Sequence, residues 1–212
     1  MLRPPREVPR RRIGTAPQGR TALLHALAHI ELNAIDLAFD IVIRFAGLDL
    51  PKAFFDDWVA VGGDEARHYA MLAARLAEMD TAYGDLVAHD GLWQAAAETA
   101  DDLLARLAIV PLVLEARGLD VTLAMVEKLR RAGDEVSADI LKTIHDEEIG
   151  HVAAGMRWFR HLCVQRSLEP EAAYRDLVRA RFKGAIKPPF NRASRDRAGL
   201  TANFYEPLAE GN

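Results

Sequence analysis

Apolar residues recur every three to four positions along most of the chain, which is the spacing of a helix with one buried face. From Thr21 the stretch TALLHALAHIELNAIDLAFDIVIRFAG puts Leu24, Leu27, Ala28, Glu31, Ala34, Ile35 and Ala38 on one such face, and Gly47 with the following LDLP closes the helix. The pattern predicts a second helix over about Lys52 to Met79 and a connection from Asp80 to Gly91. A third helix is expected from about Leu92 to Arg117, stopping near Gly118. A short one follows, from about Leu123 to Arg131, ending at Gly133. A fourth long helix covers about Glu135 to Arg166, and another short one follows Pro170. From Gly184 the segment IKPPFNRASRDRAGL loses periodicity and reads as irregular. No alternating β pattern stands out. Four long helices without strands predict an all-α four-helix bundle with extra short helices and an irregular tail. Three regions follow: a basic arm over 1–19, the helical body over 20–183, and a tail over 184–212 packed on the body.

An inward face should be apolar, yet several of its positions are ionisable. Glu31 lies on the first helix, Glu65 and His68 form Glu-x-x-His on the second, Glu115 lies on the third, and Glu148 and His151 repeat Glu-x-x-His on the fourth. The lone Glu precedes the motif Glu by 34 residues in one half and 33 in the other, an echo expected of a duplicated helical hairpin. Side chains three apart on a helix share a face. Two helices giving one Glu each and two giving Glu-x-x-His form the known inward-facing ligand set of two-metal carboxylate bundles. Singly, each residue has an ordinary explanation: Glu31 as a solvated acid, Glu115 as a partner of Arg106 or Arg117. Jointly, their type, order and spacing point to a site for two metal ions.

Glu115 follows six uncharged residues in IVPLVLEARG. A carboxylate buried there must be protonated, ion-paired or metal-bound. Four Glu carboxylates balance two divalent cations, and oxygen with imidazole ligation favours iron, with manganese or a mixed iron–manganese pair as alternatives. The bridging pair is either Glu31 with Glu148 or Glu65 with Glu115. Asp64, Asp36, Glu147 and His145 are candidates to support the ligands, since metal-bound imidazoles donate their other N–H to an acceptor. Gly62 and Gly63, inside the second helix, suggest close helix approach or a bulge beside the site. Trp58, Trp93, Trp158 and Phe159 are expected in packing positions.

The whole chain has 212 residues and a formal charge of -4, which favours neither nucleic acid nor membrane, and Cys163 is its only cysteine, excluding an internal disulfide and a cysteine-based cluster. No apolar run reaches the ~20 residues of a membrane span, and the Arg- and Pro-rich start lacks a signal-peptide core, so a cytoplasmic protein is expected. Both ends are basic, and folding back over the acidic body is favoured over RNA binding.

The segments HALAHIELNAIDLAFD, DEARH, YGDLVAHDGLW, RLAIVPLVLEARGLDVT, DEEIGHVAAGMRWF and IKPPFN…AGL closely resemble a bacterial ferritin-like family catalogued as domain of unknown function 455. That resemblance implies a ferritin-like fold and a di-iron or related two-metal site. DEARH also resembles a metal motif of some bacterial hydroxylases, with Asp64 as a hydrogen-bonding residue. The resulting expectation is an oxygen-dependent oxidoreductase, an oxygenase or oxidase. Its partners would be dioxygen, a small or medium organic substrate and an unidentified electron donor, in a chain that can form an oligomer. The alternatives are an iron-storing ferroxidase and an RNA-modifying hydroxylase. Substrate is expected to enter over the Tyr83–Trp93 connection or beneath the tail.

Overall fold

Among the described residues α1 runs Pro17–Arg44, so the helix is already present at Pro17, four residues before the expected Thr21. The computed structural model describes residues 17–89 and 91–209. Most of the basic arm therefore lies outside the described residues, as does Asp90 of the connection. Pro51, in extended conformation, begins α2 (Lys52–Glu78). The chain then returns along α1, where it is pinned by two α1 histidines. The amide of Gly84 donates to His25 Nε2 at 2.9 Å. His29 Nε2 lies 2.8 Å from the His89 carbonyl and its Nδ1 lies 2.9 Å from the Tyr83 hydroxyl. A short helix, α3 (Gly91–Ala97), ends the connection.

The third rod departs from expectation. Leu92 to Arg117 is not one helix: a turn separates α3 from α4 (Leu103–Ile109), which Asp102 caps by accepting from the Leu104 amide. A π-helical segment (Val110–Glu115) follows, and α5 (Ala116–Arg131) continues it directly. Gly118 lies within α5 and ends nothing, so the expected short helix is the second half of this rod. Pro111 accounts for the widened turn, since it has no N–H to donate and its ring crowds the preceding turn. Tyr174 donates its hydroxyl to the Leu112 carbonyl at 3.1 Å, satisfying one acceptor of the π segment.

Gly133 turns the chain in the left-handed region, and Asp134 caps α6 (Glu135–Gln165) by accepting from the Ser137 amide. Then come α7 (Pro170–Arg181) and two short helices in the tail expected to be irregular, α8 (Arg192–Arg197) and α9 (Ala202–Ala209). Asn191 caps α8 by accepting from the Ser194 amide at 3.2 Å. The fold is all-α, without a β-strand among the described residues, and none of its helices is long and apolar enough to cross a membrane.

The long helices form two hairpins, α1 with α2 and α5 with α6, joined mainly by α2 against α6. α7 packs on α4 and against α9. Trp58, Trp158 and Phe159 are buried as expected, but Trp93 is 44 % exposed. The apolar interior is divided. One cluster gathers Ile41, Phe54, Trp58, Leu112, Val152 and Phe159, and a second gathers Leu24, Leu72, Leu76, Leu129, Leu141 and Ile144. Glu31, Glu65, His68 and Glu148 fall along their helices between members of these two clusters, whereas Glu115 and His151 lie among members of the first. The ionisable layer thus interrupts the core and is sealed at both ends by hydrocarbon.

Two glycines record how tightly the rods approach. A Cβ on Gly62 would come within 2.9 Å of the Phe39 ring, and one on Gly155 within 2.6 Å of the Pro111 ring. A Cβ on Gly63 would meet nothing within 4 Å, so of the two neighbouring glycines only Gly62 is required by packing. Gly155→Ala is expected to destabilise the protein by about 1–3 kcal/mol through overpacking against a rigid ring, whereas Gly63→Ala should stabilise it by up to about 1 kcal/mol through helix propensity. Urea denaturation of the two variants checks the opposite signs.

Candidate metal centre

Helix periodicity carries Glu31 on α1, Glu65 and His68 on α2, and Glu148 and His151 on α6 to one buried ionisable layer. Ligand atoms of Glu31, Glu65, His68 and Glu148 all lie within 4.8 Å of one another. His68 Nδ1 stands 3.3 Å from Glu31 Oε2, 3.4 Å from Glu65 Oε2 and 3.7 Å from Glu148 Oε1. His151 Nδ1 adjoins the same group, 3.0 Å from Glu65 Oε1 and 3.5 Å from Glu148 Oε1. Glu65 therefore offers one oxygen to each imidazole, and Glu148 Oε1 faces both. The two carboxylates that face both histidines are those of the Glu-x-x-His motifs.

Glu115 ends the π segment and sits near Glu148 and Glu65, whose negative charges it feels. It makes no ion pair with a described residue. Arg106 pairs with Asp40 and Arg117 approaches Asp120, so neither of the arginines considered from sequence neutralises it. One edge of Glu115 is accessible, but its Oε2 is buried without a hydrogen-bond partner.

The same holds for both Glu65 oxygens and for Nδ1 of His68 and His151. These atoms are at ion-pairing distance, yet their directions are not those of hydrogen bonds. Buried polar atoms left unmatched are costly. A convergent set of five, all oxygen or imidazole nitrogen, is what a hard or borderline cation requires. The residues fit a metal.

The opposite ring nitrogens are held by acids across the helix pair. His68 Nε2 lies 2.7 Å from Glu147 Oε2, and His151 Nε2 lies 3.4 Å from Asp64 Oδ2. Each acid immediately precedes the motif glutamate of one helix and contacts the histidine of the other. Arg67 joins them, reaching Asp64 at 2.8 Å and Glu147 at 2.9 Å. Sequence inspection missed Arg67, although its place in DEARH, two residues after Glu65 on the solvent side, was the available signal. Of the other supporting candidates, Asp36 is exposed. His145 is buried but turned elsewhere, with Nδ1 3.2 Å from Asp146 and Nε2 3.3 Å from the Ser194 hydroxyl.

Burial raises the Glu31, Glu115 and Glu148 carboxyls, and neighbouring carboxylates raise them further. Burial acts upward on Glu65 as well, but the contacts with His151, His68 and Glu31 outweigh it and hold Glu65 at about 2. Burial would lower the histidines, yet the glutamates around them prevail and push His68 up to about 10 and His151 up to about 12. Protons thus stand in for cations in the metal-free cluster.

Fold and site together define an all-helical protein with a buried carboxylate and histidine cluster able to hold a metal ion. The chain belongs to the family described as "Protein of unknown function (DUF455)", which matches residues 1–206. It is 39% identical, over 99% of its own length and 74% of the relative's, to an "Uncharacterized protein" of Haemophilus influenzae. No solved structure matches it.

Proposed function

We propose that the protein is a ferritin-like di-iron carboxylate oxidoreductase, acting with dioxygen on a small or medium organic substrate. The observation that carries this reading is the Glu65 carboxylate, which presents one oxygen to each of two inward-facing imidazoles while both oxygens lack a hydrogen-bond partner. Glu65 and Glu148 would hold both metals, with Glu31 and His68 completing one side and Glu115 and His151 the other. Iron bound there would supply the redox chemistry toward dioxygen.

The protein's own contribution is positional. Glu147 and Asp64 fix the two imidazole rings with Nδ1 turned inward, Arg67 offsets the charge of those acids, and the apolar clusters on either side exclude water. The π segment places Glu115 at the edge of the layer, and such widened turns recur at functional sites.

Several basic residues toward the C-terminus are paired within the chain, although Lys187 and Arg197 have no ion pair among the described residues. Arg181 pairs with Asp101, Lys183 with Glu98, Arg192 with Glu206 and Arg195 with Asp120. This supports a fold-back role over nucleic-acid binding. Two iron ions per chain and rapid oxygen uptake are expected when anaerobic protein is loaded with ferrous iron and exposed to air. Iron that remains inert to oxygen would overturn the oxidoreductase reading. A mineral core inside a very large assembly on gel filtration would replace it with iron storage.

A further inference from the structure

A cavity of about 270 Å³ lies between the π segment and the tail. Its apolar wall is made by Val113 and Leu114 on one side and Phe182, Ile186 and Phe190 on the other. Leu114 directly precedes Glu115, so this wall is the outer surface of the turn whose next side chain enters the carboxylate layer.

The polar side of the cavity holds Arg117, Asp120, Lys187 and Arg195. Arg195 is only 3 % exposed and lies over the Tyr205 ring at 4.3 Å. Its Nε and Nη2 donate to the two Asp120 oxygens at 2.8 and 2.7 Å, and Nη2 also approaches the Ala116 carbonyl at 3.4 Å. Its Nη1 makes no hydrogen bond to a described residue. Arg117 Nη1 donates to the carbonyls of Lys187 and Pro189, at 2.9 and 3.0 Å, and reaches Asp120 only at 3.4 Å. Lys187 is exposed and has no ion pair among the described residues. Three cations thus share one carboxylate on the polar side, beside the hydrocarbon wall. A buried guanidinium with an unused donor arm, flanked by uncompensated positive charge, is a receptor for an anion. The volume falls just below the usual range for small-molecule sites, about 300–1,000 Å³.

We propose that this cavity binds a medium-chain carboxylate. The hydrocarbon body lies against Leu114, Ile186 and Phe190, and the carboxylate accepts from Arg195 Nη1 with Lys187 and Arg117 beside it. The site is separate from the metal centre and does not depend on what the metals do, so it is tested on the metal-free full-length chain. Octanoate and 1-octanol are titrated in turn while amide NMR shifts are followed. Saturable 1:1 binding of octanoate is expected, with shifts centred on Leu114, Ile186 and Phe190 and affinity at least about tenfold above that of octanol. Lys187→Glu alters an exposed side chain and spares the fold. It should weaken octanoate about tenfold and leave octanol unchanged, and Arg117→Gln should act in the same direction. Equal affinity for acid and alcohol, an unchanged octanoate affinity in Lys187→Glu, or shifts that never saturate would each overturn the assignment.

Discussion

Glu65→Ala is expected to abolish metal binding and to cost the metal-free protein about 3–5 kcal/mol. Glu65 is buried and stands against both imidazoles, 3.4 Å from His68 and 3.0 Å from His151. Its removal takes a shared ligand from the loaded site and leaves two buried imidazolium groups short of a counter-charge in the unloaded one. Glu65→Gln keeps the shape and loses the charge, so metal binding should fail there too, with less collapse. The checks are metal content after ferrous loading and urea denaturation without metal. Retention of two ions per chain in Glu65→Ala would refute the assignment of this residue as the shared ligand.

The second large effect is a proton linkage. Both histidines of the metal-free protein hold a proton at neutral pH, with His68 at about 10 and His151 at about 12 because the surrounding glutamates outweigh the effect of burial. An imidazolium cannot ligate, so loading must release at least these two protons, and affinity for the metal pair should rise about a hundredfold per pH unit near neutrality. In the metal-free protein the raised histidine values stabilise the fold fully below the ordinary histidine pKa of about 6.5, and this contribution fades as pH climbs through about 10. Metal-free protein should therefore melt at lower temperature as pH increases from 7 to 10, while the gain in melting temperature on adding metal grows over that interval. Ferrous titration in an anaerobic pH-stat gives the proton count directly. Loading without proton release, at an affinity independent of pH, contradicts the linkage.

The rods carrying the ionisable cluster were legible because Glu and His at helical spacing among apolar residues leave a clear periodic trace. Glu31, Glu65, His68, Glu148 and His151 come together as that trace implies. The third rod was less legible: Gly118 looked like a stop, but tertiary packing carries α5 straight through it. Nor does residue periodicity reveal a π segment, which changes the number of residues per turn, although Pro111 marks its place. Asp64 and Glu147 could be nominated from their positions before the motif glutamates. That each serves the histidine of the opposite helix is a fact of three-dimensional register, and so is the Arg67 link between them. Asp36 failed because one residue's shift on a helix turns a side chain by about 100°, here out to solvent. Helices α8 and α9 escaped notice because they are too short for periodicity to register, and α8 is announced only by the Asn191 cap.

The crossed bracing of the two imidazoles has a consequence for how the protein can change. Since the acid from α2 orients the ring on α6 and the acid from α6 orients the ring on α2, neither hairpin carries a self-sufficient half-site. A slip of α2 past α6 by one turn would strip both rings of their acceptors together. Swapping one hairpin for a foreign one would leave both imidazoles without the acids that orient them.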